Sequence, residues 1–334
     1  DGDITLSGKG APTSIRTRVS SVPGVGRITS LGSGEHAADI LIDGGSEAVG
    51  LNSNLTISSR DGSIGISGRG VSAASTIQSF GTSETMTGDI RIVGNTAGVL
   101  VREISTAAAN VLIEGTTIGS AGSLPGAQIT GTIESRLATP NAGTITVVGT
   151  TNLSNSDGIT FGDNGQIVST VGDIVLTGTG GPGSSYGIDG PNVTSLGTDK
   201  ATAATISLVG NGSDQGGSGV RILAGSADAP NLSTIAGDIS VRGTGGNGTS
   251  SGYRGVFLAN GYIESKGTTK DNAGEISIVG VGGNGTSQLI GVDIRQSQSD
   301  IVSVAGDISI VGTAGDSLGT QNWGVQIQDG SLIQ

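Results

Sequence analysis

Cysteine is absent from the sequence, which excludes a structural disulfide, a thiol nucleophile and a thiolate metal site. There is one histidine, His36, beside Glu35 in a Gly/Ser-rich stretch. No Ser/His/Asp set and no His-based metal spacing can be assembled from it, so it reads as a solvated loop residue. Aromatic residues make up 2% of the chain, few for a groove that would stack sugar rings. Basic residues are scarce as well, 16 against 28 acidic, for a net charge of −12. A nucleic-acid surface needs a concentrated basic stripe to displace counterions, and an anionic membrane surface attracts the same charge. No run approaches the ~18 apolar residues of a membrane span. The expectation is therefore neither a nucleic-acid partner nor membrane insertion. An initiator Met and a signal peptide are also missing, and the chain starts at Asp1, so it is expected to be a processed product or a segment of something longer.

What the chain has in excess is glycine, 63 of 334 residues, against the usual ~7%. The glycine is in phase with aliphatic residues. The phrase Gly-Asp-Ile-x-(Ile/Val/Leu)-x-Gly is clearest at Gly237-Asp-Ile-Ser-Val-Arg-Gly243 and Gly306-Asp-Ile-Ser-Ile-Val-Gly312. Two apolar residues two apart lie on one face of a strand, and glycine on both sides marks turns. Eleven copies occur, with first apolar residues Ile4, Ile40, Ile64, Ile90, Val111, Ile145, Ile174, Ile206, Ile239, Ile276 and Ile308. The closing glycine falls four residues later each time, while the steps between copies vary from 21 to 37 residues. A fixed local motif with drifting spacing is the mark of a solenoid with variable loops.

From the middle onward each coil reads as three strands. A second strand starts at Gly plus an aliphatic residue, as in Gly219-Val-Arg-Ile222 and Gly255-Val-Phe-Leu258. A short third strand, such as Leu232 to Ile235 or Ile301 to Val304, leads back to the next Gly-Asp-Ile. With no helical periodicity, this predicts an all-β fold, a right-handed parallel β-helix of about eleven coils spanning 1–334 as one domain. At ~4.8 Å per coil the rod would be on the order of 50 Å long. Residues 11–35 and 116–143 are expected to project as loops, and the Ile64, Ile90 and Val111 coils to be the most compact.

Several patterns could carry chemistry. The acid before each first strand recurs as Asp3, Asp39, Asp89, Asp173, Asp238 and Asp307, with Glu275 in the same place. Stacked, these form a column that could hold Ca²⁺. Ser63, Thr144 and Thr205 stand there in other coils and supply no charge, so turn chemistry is the favoured reading. Gly-Gly-Asn-Gly at 245–248 and 282–285 is similar to the calcium β-roll repeat, but Ser250 and Ser287 stand where that repeat has Asp. Asn155-Ser-Asp157-Gly-Ile159, followed by Gly162-Asp163, resembles the Asn-Thr-Asp-Gly motif of β-helical polygalacturonases, whose second acid would fall at Thr160. Glycoside cleavage needs a pair of carboxylates, and here one is missing. Tyr253 and Trp323 precede second strands at comparable places and are assigned to packing over a turn rather than to sugar stacking. Val93, Val148, Val209, Val279 and Val311 have outward parity and predict either an apolar stripe for lateral association or a surface covered by loops. Seven Asn-x-Ser/Thr sequons begin at Asn54, Asn152, Asn192, Asn211, Asn231, Asn247 and Asn284. No catalytic, cofactor or metal residue is assigned.

The repeated Gly-Asp-Ile coils, the lack of cysteine, the scarce aromatics and the acidic Gly/Ser/Thr/Asn-rich loops resemble the β-helical shafts of bacterial surface proteins of the filamentous-haemagglutinin and giant-adhesin type. The resemblance implies export and surface exposure, with a role in attachment, spacing or matrix building. The expectation is a non-enzymatic structural or adhesive segment of a cell-surface or extracellular fibre. It would stack end to end or side by side and meet surface glycans or host or neighbouring cells. The alternative is a carbohydrate-active β-helix enzyme or a tailspike-like polysaccharide-binding protein.

Overall fold

The computed structural model describes residues 3–7, 15–16, 26–32, 37–81, 88–119, 124–139, 142–214, 216–223, 229–297, 299–317 and 319–334. His36, and the prolines at 12, 23 and 140, lie outside them. The described chain is all strand and turn, and it forms a parallel β-helix with three faces.

The first face is an eleven-stranded parallel sheet: β1 (Ile4–Ser7), β4 (Ile40–Asp43), β7 (Ile64–Gly68), β9 (Ile90–Gly94), β11 (Val111–Thr117), β14 (Ile145–Thr151), β17 (Ile174–Thr179), β20 (Ile206–Asn211), β23 (Ile239–Thr244), β26 (Ile276–Val281) and β29 (Ile308–Thr313). Each strand begins on the first apolar residue of the sequence motif. Successive motifs also pair in register, for example Ile174↔Ile206, Ile206↔Ile239 and Ile239↔Ile276.

Two long strands tie the second and third faces together. β8 (Val71–Ser79) pairs through Val71–Ala73 with β5 (Val49–Leu51), and through Thr76–Ser79 with β6 (Leu55–Ser59). β10 (Val99–Thr106) likewise serves both faces, with a register shift between Val101 and Glu103 where it turns the corner. In later coils the corner is cut by a loop and the faces separate. The second face continues as β12 (Ala127–Ile129), β15 (Ile159–Phe161), β18 (Tyr186–Asp189), β21 (Ser218–Leu223), β24 (Val256–Ala259), β27 (Val292–Arg295) and β30 (Val325–Ile327). The third continues as β13 (Thr132–Ser135), β16 (Gln166–Ser169), β19 (Val193–Ser195), β22 (Leu232–Thr234), β25 (Tyr262–Ser265), β28 (Asp300–Ser303) and β31 (Leu332–Ile333).

Two expected loops are instead coils. Within 11–35, β2 (Ile15–Arg16) pairs with β5 and β3 (Gly26–Ser30) pairs with β6, completing the first coil. Within 116–143, β12 and β13 fill the second and third faces. Ala127 takes an inward position held by Val or Ile in other coils, and so weak an apolar signal hides the strand.

The core is a bundle of aliphatic columns, with Ile206, Leu208, Val220, Ile222 and Leu232 fully buried in one coil. Each such side chain contributes about 1.5–3 kcal/mol on burial. The closing glycine of the motif continues the inward parity, and its place is taken by the chain beginning the second strand. A Cβ on Gly243 would stand 2.0 Å from the Gly255 carbonyl oxygen, so the corner closes only between two glycines. The inner residues Val325 and Ile327 of the last coil are 39% and 50% exposed, because they are covered on one side alone.

A further column was not foreseen. The third strands end on Ser30, Ser59, Ser79, Thr106, Ser135, Ser169, Ser195, Thr234, Ser265 and Ser303, all in register. These hydroxyls face inward at the corner leading to the next first strand. Thr106 donates to the Ala109 carbonyl at 3.1 Å and Ser265 to that of Gly274 at 2.7 Å, which holds the turn in those coils, while the hydroxyls of Ser30, Ser59, Ser79, Ser195, Thr234 and Ser303 are buried with no partner among the described residues.

Candidate functional site

The acidic column before the first strands acts within the backbone. The Asp39 carboxylate accepts the Ser63 N–H at 2.7 Å, Asp173 that of Thr205 at 2.9 Å, and Asp238 that of Glu275 at 2.8 Å. Each side chain thus reaches to the same place in the following coil. Asn110 serves equally, accepting the Thr144 N–H at 3.0 Å, so an amide can replace the charge. The two Gly-Gly-Asn-Gly loops stack by the same device: Asn247 accepts the Asn284 N–H at 3.3 Å, and Asn284 that of Asp316 at 3.1 Å. Among the described residues, no three His, Cys, Asp or Glu side chains gather as a metal site.

The second face carries the charged chemistry. One outward column runs Thr160, Asp189, Arg221, Phe257, Asp293, Gln326 across six coils. Arg221 grips Asp189 with Nε at 2.6 Å and Nη2 at 2.8 Å, and lies 4.0 Å from the centre of the Tyr186 ring. Asp157, at the turn into β15, completes this cluster. Its carboxylate accepts the Tyr186 N–H at 2.7 Å and the Thr160 hydroxyl at 3.3 Å. Burial, and then the Asp189 charge, push its carboxyl up to about 6. The Tyr186 N–H, Arg221 and Thr160 pull the other way.

The sequence places no second acid beside Asp157. The fold supplies one from the next coil, since Asp189 stacks on Thr160, the position where the polygalacturonase pattern would put it. Asp163 goes elsewhere. It lies past the far end of β15, exposed, in a polar cleft of about 480 Å³ lined also by Arg102, Glu103, Asn164 and Asn192.

Three coils on from Asp189, Asp293 is fully buried and held by two arginines. Arg254 Nε lies 2.5 Å from Oδ2, and Arg295 Nε lies 3.0 Å from Oδ1. Both guanidiniums lie over the Phe257 ring, at 4.6 and 5.2 Å from its centre. Arg221 and Arg254 stand 32 and 39 residues from their acids, across loops of variable length, and left no sequence signal; only Arg295, two residues from Asp293, is near its partner in sequence.

The remaining candidates separate. Tyr253 is buried, and its hydroxyl accepts the Ser250 N–H at 3.1 Å, so it packs over a turn as expected. Trp323 is 42% exposed and does not share its place. The Trp323 carbonyl accepts the Gly291 N–H as the Arg254 carbonyl accepts that of Gly219, one residue beyond Tyr253. The five valines do form one column, but Glu114, Thr177 and Arg242 stand between them. A continuous apolar stripe is therefore not formed. The Asn231 sequon is closed to modification, since its buried Nδ2 donates to the Leu223 carbonyl at 2.9 Å. Searches for known relatives give no further lead: no family model, no curated protein and no solved structure matches the chain.

Proposed function

We propose that the chain is a non-enzymatic structural and adhesive β-solenoid segment of a cell-surface or extracellular fibre. The observation that carries this is the unbroken parallel register of the first face through all eleven coils. A continuous hydrogen-bonded sheet over a dry aliphatic core makes a stiff rod, and the loops between faces present polar surface outward. In this reading the recurring Asp/Asn caps hold coil to coil and leave the variable loops to meet surface glycans or neighbouring cells. Self-association, end to end or side by side, is part of the proposal. Electron microscopy of the purified chain at several concentrations tests it. Uniform fibres or straight rods are expected, and compact globular particles would overturn it.

A second reading, a carbohydrate-active enzyme, is favoured by one observation: Asp157 holds its proton to about pH 6 beside a second carboxylate, Asp189. An assay for new reducing ends or unsaturated products with a polysaccharide panel separates the two. Turnover abolished by Asp157→Ala would replace the structural reading.

A further inference from the structure

We propose that a cleft between the protruding loops of the seventh to tenth coils binds a sugar carrying one negative charge. The cleft arises from a step in loop length. From the glycine closing the first strand to the glycine opening the second is nine residues at Gly178–Gly187 and Gly210–Gly219, but twelve at Gly243–Gly255. The longer loop overhangs its shorter neighbours and encloses about 310 Å³. That is the low end of the range for small-ligand pockets, roughly 300–1,000 Å³.

Its chemistry differs from the rest of the surface. In a chain with 28 acidic residues, the lining holds five serines, two tyrosines, Gln288 and Arg254, and no carboxylate. Arg254 is fixed from behind. Its Nε is held by Asp293 at 2.5 Å and its Nη1 by the Gly252 carbonyl at 3.2 Å, while Nη2 has no partner among the described residues. Asp293 is shared with Arg295, so one carboxylate stands against two guanidiniums and a positive charge is left over. The Arg254 side chain is only 15% exposed, so little solvent screens it. A pre-oriented guanidinium edge is suited to a carboxylate or sulfate oxygen.

A bare anion would leave most of the cleft empty. The hydroxyls of Ser184, Ser250 and Ser251 have no partner among the described residues and can both donate to and accept from a polyol. Gln288, on the wall, is one of six non-glycine residues with positive φ (54°) among the described residues, a backbone form that gathers at ligand sites. Acidic charge and several hydroxyls on one small molecule describe a uronate or a sulfated monosaccharide.

The proposal rests on the adhesive reading for its biological sense, but it is tested separately. The whole chain is titrated calorimetrically with glucuronate, glucose 6-sulfate, glucose and inorganic sulfate. Either acidic sugar is expected to bind, more weakly as salt is raised, and at least about tenfold more tightly than glucose or inorganic sulfate. Ser184→Asp and Ser251→Asp place a carboxylate on exposed rim positions without touching the core, and each is expected to weaken binding about tenfold. Equal binding of glucose, equal binding of inorganic sulfate, no binding at all, or unchanged binding by both variants would overturn the cleft. Straight rods in micrographs alongside a failed titration would leave the shaft reading standing and remove only this site.

Discussion

Two acid–arginine clusters share one outward column of the second face and are built with opposite charge balance. Around Arg221, two carboxylates, Asp157 and Asp189, face one guanidinium. Around Asp293, two guanidiniums face one carboxylate. Phe257 separates the two clusters. The first is partly open, with Arg221 and Asp189 side chains 30% and 14% exposed, while the second buries its acid completely. Excess acid in the first is relieved below about pH 6 by a proton held on Asp157. Excess base in the second has no such relief, because arginine does not give up its proton in the ordinary pH range. That cluster therefore holds one guanidinium more than it has carboxylates to pair with.

The largest effect is expected from breaking the second cluster. Asp293→Ala would strand Arg254 and Arg295, both largely buried, and should destabilise the chain by about 3–5 kcal/mol, read from urea unfolding. Asp157→Asn works in the opposite direction. The amide keeps an oxygen for the Tyr186 N–H and drops the charge. Since the carboxyl is raised from 3.8 to about 6, the folded chain between those values holds a proton that the unfolded chain has lost. That group's contribution to stability therefore increases as pH falls through 6 and is lost as pH rises. At pH 7.5 the variant should be more stable than the parent by up to about 3 kcal/mol, and near pH 4 the gain should vanish. A variant no more stable at pH 7.5 would show that Asp157 titrates as an ordinary acid. The smallest change is expected from Asp189→Asn, within about 1 kcal/mol, because this pair is partly exposed and Asp157 remains beside Arg221. Its sharper signature lies in titration: Asp157, followed by carboxyl NMR, should move down from about 6 toward the ordinary range.

The first face was fully legible, because its information is local. Ile, Ile and Gly at i, i+2 and i+4 are set by one strand's parity and by one glycine corner. The coils at Ile15 and at Ala127 read as loops in the sequence because Thr17 interrupts the apolar alternation after Ile15 and Ala127 is a short residue, so neither carries much periodic signal. The Ser/Thr column was written plainly, as Ile-x-Ser at Ile57-Ser-Ser59, Ile133-Glu-Ser135 and Ile263-Glu-Ser265, but serine in a Gly/Ser-rich chain reads as turn composition. The valine column misled for the reverse reason. Picking out five valines passed over Glu114, Thr177 and Arg242, whose place is the same. The charged clusters depend on coil-to-coil register through loops of changing length, which spacing alone does not specify.

The caps that join coil to coil also give the rod an arrow. Asp39, Asp173, Asp238, Asn247 and Asn284 each accept an N–H from the coil that follows in sequence. Each of these coils therefore displays an acceptor that the next one fills. A chain folding from its N-terminal end would find such a turn templated by the coil before it, so the same caps that lock the finished rod would also guide the placing of the next coil.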